Sequence, residues 1–202
     1  DVWDDWLASH PGEDPTSVRI VRLRALVDSG ARIEICQADV TDAEQTHAEV
    51  ARLRRKHGAI HGVIHAAGLP GAGLIAGKSA ADVDRVLGPK VLGTVVLDAA
   101  CAGAPLDFFL LCSSVTSVLG GFGQSDYCAA NAFLDTFAHW RRQQGGTAVT
   151  ALDWGRWQGT GMASADAGLP GGQAMGEPSG HPLLRRVSST AEEETYATRL
   201  TT

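Results

Sequence analysis

Leu106-Asp107-Phe108-Phe109-Leu110-Leu111-Cys112-Ser113-Ser114 is an apolar run that ends in two serines, and residues 125–144 after it carry a strong helical pattern. A nearly continuous apolar run at 106–111 is what a strand covered on both faces presents. Residues 147–152 read as another strand. Upstream, residues 60–65 form a short strand centred on Val63 and Ile64, running into His65-Ala66-Ala67-Gly68. Residues 79–102 read as helical, with Pro89 predicting two helices or one that restarts there. Thr41 or Asp42 can cap a further helix, with Ala43, Val50 and Leu53 on one face, which Gly58 ends. Residues 32–37 alternate, Ile33 and Ile35 opposing Arg32, Glu34 and Cys36, the pattern of a strand. Before them a helix is expected from near Thr16, with Ile20, Leu23 and Val27 on one face and Gly30 as its stop. Helix and strand thus alternate from residue 16 to 152, with crossovers long enough for parallel pairing, which predicts an α/β doubly wound parallel sheet.

The outlying segments differ. Residues 1–15 hold five acidic residues, no Lys or Arg, and Trp3 and Trp6, and read as a surface segment. Residues 164–182 contain five glycines and three prolines, a composition that cannot build a packed core, so they read as a linker. Residues 183–202 resume a pattern but are too short to fold alone.

Composition narrows the functional classes. With 202 residues, 44% of them hydrophobic, the chain can bury a real core and is not intrinsically disordered. A net charge of −6 argues against nucleic acid as a partner. No apolar run approaches the roughly 18–20 residues of a membrane span, and the acidic start does not resemble a signal peptide. The chain reads as soluble and cytoplasmic. Cys36, Cys101, Cys112 and Cys128 lack CxxC spacing and read as reduced core thiols. No histidine sits in a metal-binding spacing, so no metal site is expected. The basic cluster Arg52, Arg54, Arg55 and Lys56 reads as a solvated helix face, with a protein-docking patch as the alternative.

The chemistry concentrates where the 106–114 strand ends, since open α/β sheets form their sites at the carboxyl edge. Tyr127 and Asn131, four residues apart at the start of the following helix, project from one face. A tyrosine there could act as general acid toward a developing alkoxide if a cation lay nearby, and Lys90 in Gly88-Pro89-Lys90-Val91 is the candidate. Ser114, Tyr127 and Asn131, with Lys90 upstream, resemble the catalytic tetrad of ketoreductase domains of modular type I polyketide synthases, in the short-chain dehydrogenase/reductase superfamily. Ala38-Asp39-Val40-Thr41-Asp42, Gly62-Val63-Ile64-His65-Ala66-Ala67-Gly68, Pro89-Lys90-Val91-Leu92-Gly93-Thr94 and Leu152-Asp153-Trp154-Gly155-Arg156-Trp157 match that family in order.

The resemblance implies a Rossmann-like fold and a set of roles. Tyr127 would protonate the substrate carbonyl oxygen while NADPH delivers hydride, and Ser114 would hydrogen-bond the same oxygen. Lys90 would contact the nicotinamide ribose and favour the tyrosinate, and Asn131 would order a relay water. Asp39 and Val40 would meet the adenine, and Ala66, Ala67 and Gly68 would lie along the cofactor. The substrate would be a β-ketoacyl chain on the phosphopantetheine arm of an acyl carrier protein, and the partners that carrier and the other domains of the same synthase. Trp154 and Trp157 would line the substrate entrance or pack the closing loop. Where the family's B-type enzymes carry Leu-Asp-Asp this chain has Pro70-Gly71-Ala72, and where A-type enzymes carry a Trp it has Leu119, so the markers lean only slightly toward A-type.

The family's phosphate-binding glycine loop and its basic 2′-phosphate residue lie ahead of anything in this sequence. The sheet is therefore expected to be truncated at its N-terminal βαβ unit, leaving apolar surface exposed and the chain inactive on its own. Gly71-Ala72-Gly73-Leu74-Ile75-Ala76-Gly77 imitates such a loop, but no acid-ending strand follows at the required distance, which assigns it to a loop beside the substrate cleft. His181-Pro182-Leu183-Leu184 with Arg185, Arg186 and residues 196–200 resembles the opening of a polyketide synthase dehydratase domain of hotdog fold, with His181 structural. The expected organisation is an incomplete ketoreductase domain at 1–163, the linker at 164–182 and the dehydratase-like start at 183–202. A non-catalytic structural ketoreductase-like segment is the alternative from another class, and a free-standing dehydrogenase is disfavoured by the linker and tail.

Overall fold

The computed structural model describes residues 2–155, apart from 11, 13, 72 and 146, and three later strands at 177–178, 185–189 and 194–197. The chain divides into two units, Asp1–Gln37 and Ala38–Thr202.

In the first unit the acidic stretch expected as a surface segment is helical, α1 (Val2–Ser9), and none of its residues is buried. Trp6 stacks on His10 with ring centroids 3.7 Å apart, and Asp4 pairs with Arg24 of the next helix at 2.6 Å. That helix, α2 (Pro15–Asp28), starts where expected because Asp14 caps it: its carboxylate accepts from Thr16 N (2.9 Å) and Ser17 N (3.0 Å), and Pro15 fits a first-turn position that needs no N–H. Ser29 and Gly30, the latter at φ +96°, end it.

Residues 31–39 belong to neither sheet, so the strand expected at 32–37 does not form. Alternation favours an extended chain, but a strand exists only where a second strand supplies its ladder, and Ile35 stays 62% exposed here. Cys36 is exposed as well, unlike the buried Cys101, which corrects its reading as a core thiol.

The second unit follows the expected alternation. Asp42, not Thr41, caps α3 (Ala43–His57) by accepting from Gln45 N at 3.0 Å, and Gly58 at φ +86° ends it. Its last turn holds Arg54, Arg55, Lys56 and His57, a placement that suits the negative end of the helix dipole. Then come β1 (Gly62–His65), α4 (Ala80–Ala100), β2 (Phe108–Ser114), the single turn α5 (Thr116–Leu119), α6 (Ser125–Gln143) and β3 (Val149–Trp154). The three strands form one parallel sheet in the order β1-β2-β3, with Val63 opposite Phe109 and Leu111 opposite Ala151. Two helical crossovers and a parallel sheet make a Rossmann-like α/β fold.

Helix α4 does not break at Pro89. Part of the clash that a proline ring imposes falls on the Cβ of the residue before it, and that residue is Gly88, which has none. A Ser79–Asp82 capping box fixes the helix start.

Phe109, Leu111 and Val149 from the sheet pack on Leu134, Phe137 and Ala138 of α6 to form the core. The opposite face is less covered: Ile64 is 61% and Phe108 47% exposed. The strand read as covered on both faces is fully closed on one, with Leu110 and Cys112 half-buried on the other. Leu111, fully buried, is a sensitive probe of this core. Leu111→Ala is expected to cost about 3–5 kcal/mol, read as a lower denaturation midpoint at unchanged slope.

Farther on, β4 (Glu177–Pro178), β5 (Arg185–Ser189) and β6 (Glu194–Ala197) form a separate antiparallel sheet. β4 falls inside the expected linker 164–182, whose remaining residues, with Trp157 and His181, lie outside the described ones. Among the described residues no helix is long and apolar enough to cross a membrane, and no group of His, Cys, Asp or Glu could hold a metal ion.

Candidate active site

The site grows from the carboxyl end of β2. Ser114 is 8% exposed, and its hydroxyl oxygen accepts from Thr116 N (3.3 Å) and from the Thr116 hydroxyl (3.0 Å). Two accepted bonds leave the serine's own proton available to donate. The neighbouring Ser113 hydroxyl donates to the backbone oxygen of Asn131 at 3.3 Å, tying the strand end to α6.

Tyr127 and Asn131 sit one turn apart near the start of α6. Asn131 is fully buried; its amide nitrogen donates to the backbone oxygen of Tyr127 at 2.7 Å, while its Oδ1 has no hydrogen-bond partner among the described residues. An orphaned acceptor at that depth is costly in the protein alone.

Lys90 enters from α4. It is 3% exposed, its ammonium donates to the Cys112 backbone oxygen at 2.7 Å, and it stands 5.8 Å from the centre of the Tyr127 ring. Burial pulls the Lys90 ammonium below the ordinary lysine range, and Cys112 and the Asp135 carboxylate push back. The lysine stem runs across Gly68: a methyl group on Gly68 would lie 2.9 Å from Lys90 Cε. The small residue expected to admit a cofactor admits the lysine.

Three of the four tetrad positions, Lys90, Tyr127 and Asn131, thus lie together beside the strand end that carries Ser114. The expected adenine-side residues divide. Val40 packs against α4 at Gly93, one turn from Lys90. Asp39 is exposed, and its carboxylate accepts from the backbone N–H (2.8 Å) and hydroxyl (2.7 Å) of Thr41, which hold it below the usual carboxylate range. Ala66 and Ala67 are exposed in the irregular segment after β1, and Trp154 pairs with Ser114 across the β2–β3 ladder. The glycines of the GxGxxxG segment lie beside the start of α6: Gly71 abuts Asp126 and Tyr127, and Gly123 abuts Gly73.

The structure adds groups that motif reading did not single out. Lys78 and Asp126 form an ion pair at 2.6 Å with side chains only 4% and 2% exposed. His65 is buried, and its Nε2 bonds the backbone oxygen of Pro89 at 3.0 Å, which requires the proton on that nitrogen. Burial holds the His65 pKa down at about 4; the Pro89 bond opposes this and the Lys90 charge assists it. An unfolded histidine takes up its proton near 6.5, so its contribution to stability is full above that pH and is lost as pH falls toward 4. The loss should reach about 3 kcal/mol, and a stability–pH profile of His65→Leu should be flatter over the same window.

A hollow lined by Asp98, Cys101, Arg141 and Val149, with Asp98 and Arg141 paired at 3.0 Å, lies at the opposite end of the sheet, away from these groups.

Comparison with known proteins agrees with this arrangement. Residues 7–159 match the family described as KR domain. Polyketide synthase ThaG of Burkholderia thailandensis is 44% identical over 145 residues, covering 69% of this chain and 3% of that protein. Polyketide synthase PksN of Bacillus subtilis is 37% identical over 146 residues, 70% of this chain and 3% of that one. The chain thus spans a small part of the curated relatives it matches. A crystal structure of a ketoreductase domain from the bacillaene assembly line superposes with a TM-score of 0.69 at 33% identity, over 74% of this chain and 36% of that one. A short-chain dehydrogenase/reductase from Brucella melitensis, at 20% identity and a TM-score of 0.57 over 63% of this chain and 56% of that one, shares the fold. With that sheet, those crossovers and a match over residues 7–159, the chain belongs to the KR domain family.

Proposed function

We propose that this chain carries the proton-handling half of a ketoreductase that reduces a β-ketoacyl thioester, held on an acyl carrier protein, to the β-hydroxyacyl thioester. The observation that carries this reading is the burial of the Lys90 ammonium against the face of Tyr127, beside the strand end bearing Ser114. A buried ammonium is expensive, and three polar groups at one sheet edge suit a carbonyl oxygen that gains negative charge.

Tyr127 gives its phenolic proton to that oxygen, and Ser114 donates a hydrogen bond to it as charge develops. Lys90 lends positive charge beside the phenol. Asn131 keeps the first turns of α6 in register through Tyr127 and offers its unused Oδ1 to a water that returns the proton.

NADPH, when bound, supplies the hydride to the ketone carbon. The residues present fit its nicotinamide end, since an exposed Ala66-Ala67 edge lies next to Gly68 and a buried cation. Asp39 and Val40 would hold the adenine end, at a turn fixed by Thr41 on the Asp39 carboxylate and by Gln45, Asp42 and Thr46 on its backbone.

The partners would be the carrier protein and neighbouring domains of one cytoplasmic synthase, with 1–163 as ketoreductase, 164–182 as linker and 183–202 opening a dehydratase-like domain. One observation favours a purely structural role instead: the described sheet has three strands, and residues 31–39 do not join it. The deciding experiment follows NADPH absorbance with an acetoacetyl thioester in the whole polypeptide that carries this chain. Substrate-dependent oxidation supports reduction. Its absence in a folded protein supports the structural role.

A further inference from the structure

The segment between β1 and α4 presents a problem of anchorage. Residues 73–77 are all exposed, Leu74 at 60% and Ile75 at 74%, and the short 3-10 turn at Ile75–Gly77 buries nothing. No apolar side chain of that stretch holds it to the protein. Its next residue does: the Lys78 side chain is almost fully buried and meets Asp126 Oδ1 at 2.6 Å.

The same carboxylate oxygen accepts from Tyr127 N at 2.9 Å. Gln124, at the N-cap of α6, makes no side-chain capping bond, so Asp126 supplies the acceptor for the first turn. Lys78 directly precedes Ser79, the cap of α4. Gly71 closes the contact from the other side, where a methyl group would overlap Asp126 Oδ1 and lie 3.0 Å from Tyr127 Cβ. One oxygen atom therefore joins the start of the helix that carries Lys90 to the start of the helix that carries Tyr127.

Energetics argue against stability as the reason. A buried ion pair generally adds little over an apolar pair of similar volume, because both ions lose their water. What it adds is placement: the Asp126 carboxylate is held by the Lys78 charge at 2.6 Å and by the Tyr127 backbone N–H at 2.9 Å at the same time.

We propose that Lys78 and Asp126 are a positioning pair that sets where Tyr127 stands relative to Lys90, and that the ion pair is kept for this alignment. The inference rests on the ketone reduction proposed above. The roles divide by chemistry: Asp126 holds the first turn of α6, and Lys78 fixes Asp126 and the 71–78 segment together.

The test uses K78M, D126N and the double variant K78M/D126N in the whole polypeptide. K78M strands a buried carboxylate and should lower both Tm and turnover. The double variant carries no unpaired charge, and the side-chain amide oxygen that D126N introduces still accepts from Tyr127 N, so its Tm should return close to the parent value. Its kcat should nevertheless remain roughly 10-fold or more below the parent, as expected for a misplaced reacting group, with KM for NADPH within about twofold. Hydrogen exchange gives a readout independent of catalysis: amides of 71–78 and 125–131 should exchange faster in the double variant, with those of β2 and β3 unchanged. A double variant with parental kcat and parental exchange at 125–131 would overturn the proposal, as would a loss of kcat that follows Tm across all three variants. Were the parent protein to reduce no ketone, the reduction reading would fall by itself, and the exchange comparison would still decide whether the pair positions the start of α6.

Discussion

Tyr127→Phe is expected to reduce turnover by roughly 10²–10⁴-fold, the range for removing a general acid, while leaving the fold intact. The substitution takes away one oxygen and keeps the ring. The bonds around residue 127 give the reason that little else should change. Asn131 bonds its backbone oxygen at 2.7 Å, and Asp126 bonds its backbone N–H at 2.9 Å. Neither contact uses the phenol, so α6 keeps its first turns in the Phe variant. Steady-state kinetics with an acetoacetyl thioester, paired with a thermal melt, separate the two effects. Parental turnover in the Phe variant would mean that the proton comes from another group.

Lys90→Met should have the second largest effect, and stability and activity should part company. Methionine is nearly as long as lysine and fits the path across Gly68. It removes an ammonium that is 3% exposed and whose one described hydrogen bond goes to the Cys112 carbonyl at 2.7 Å. Relief from burying a charge offsets the stranded carbonyl, so stability should move by no more than about 1–2 kcal/mol. Activity should fall on the order of 100-fold or more, because the positive charge beside the phenol is gone. A variant as stable as the parent and far slower would mark Lys90 as a residue retained at the expense of packing. Equal losses of both would make it a structural lysine.

How far these features could be read in advance depends on where their causes lie along the chain. β2 and α6 were legible because an apolar run and a helical period are local signals, and Leu111, Leu134 and Phe137 do pack together. The end of α3 was legible because Gly58 takes a left-handed conformation that side chains resist. The stretch 32–37 misled because alternation describes a willingness to extend, while the ladder has to come from elsewhere. Pro89 misled in the other direction, since its cost depends on Gly88 and on packing along the whole of α4.

The site shows the same division. Tyr127 and Asn131 were found through a spacing fixed by one helix, Ser114 through a strand end, and Lys90, on a different helix, through the resemblance of its motif. Lys78 and Asp126 share no such spacing, and only the fold brings them together. His65 lay inside a quoted motif, yet its duty is to hold the Pro89 carbonyl as a neutral ring, which no pattern of residue types announces.

The register between β2 and β3 has a consequence for biosynthesis. Ser113 and Ser114 are squared off by Asp153 and Trp154, the last residues of a strand translated well after Tyr127. A ribosome that has released the lysine, both serines and the tyrosine has still not delivered the strand that braces them. The growing polypeptide therefore lacks both the partner of its serine strand and the Val149 side chain of its core until β3 clears the exit tunnel, and a stop codon placed just before residue 149 should yield a product that holds Lys90, Ser114, Tyr127 and Asn131 but does not unfold cooperatively.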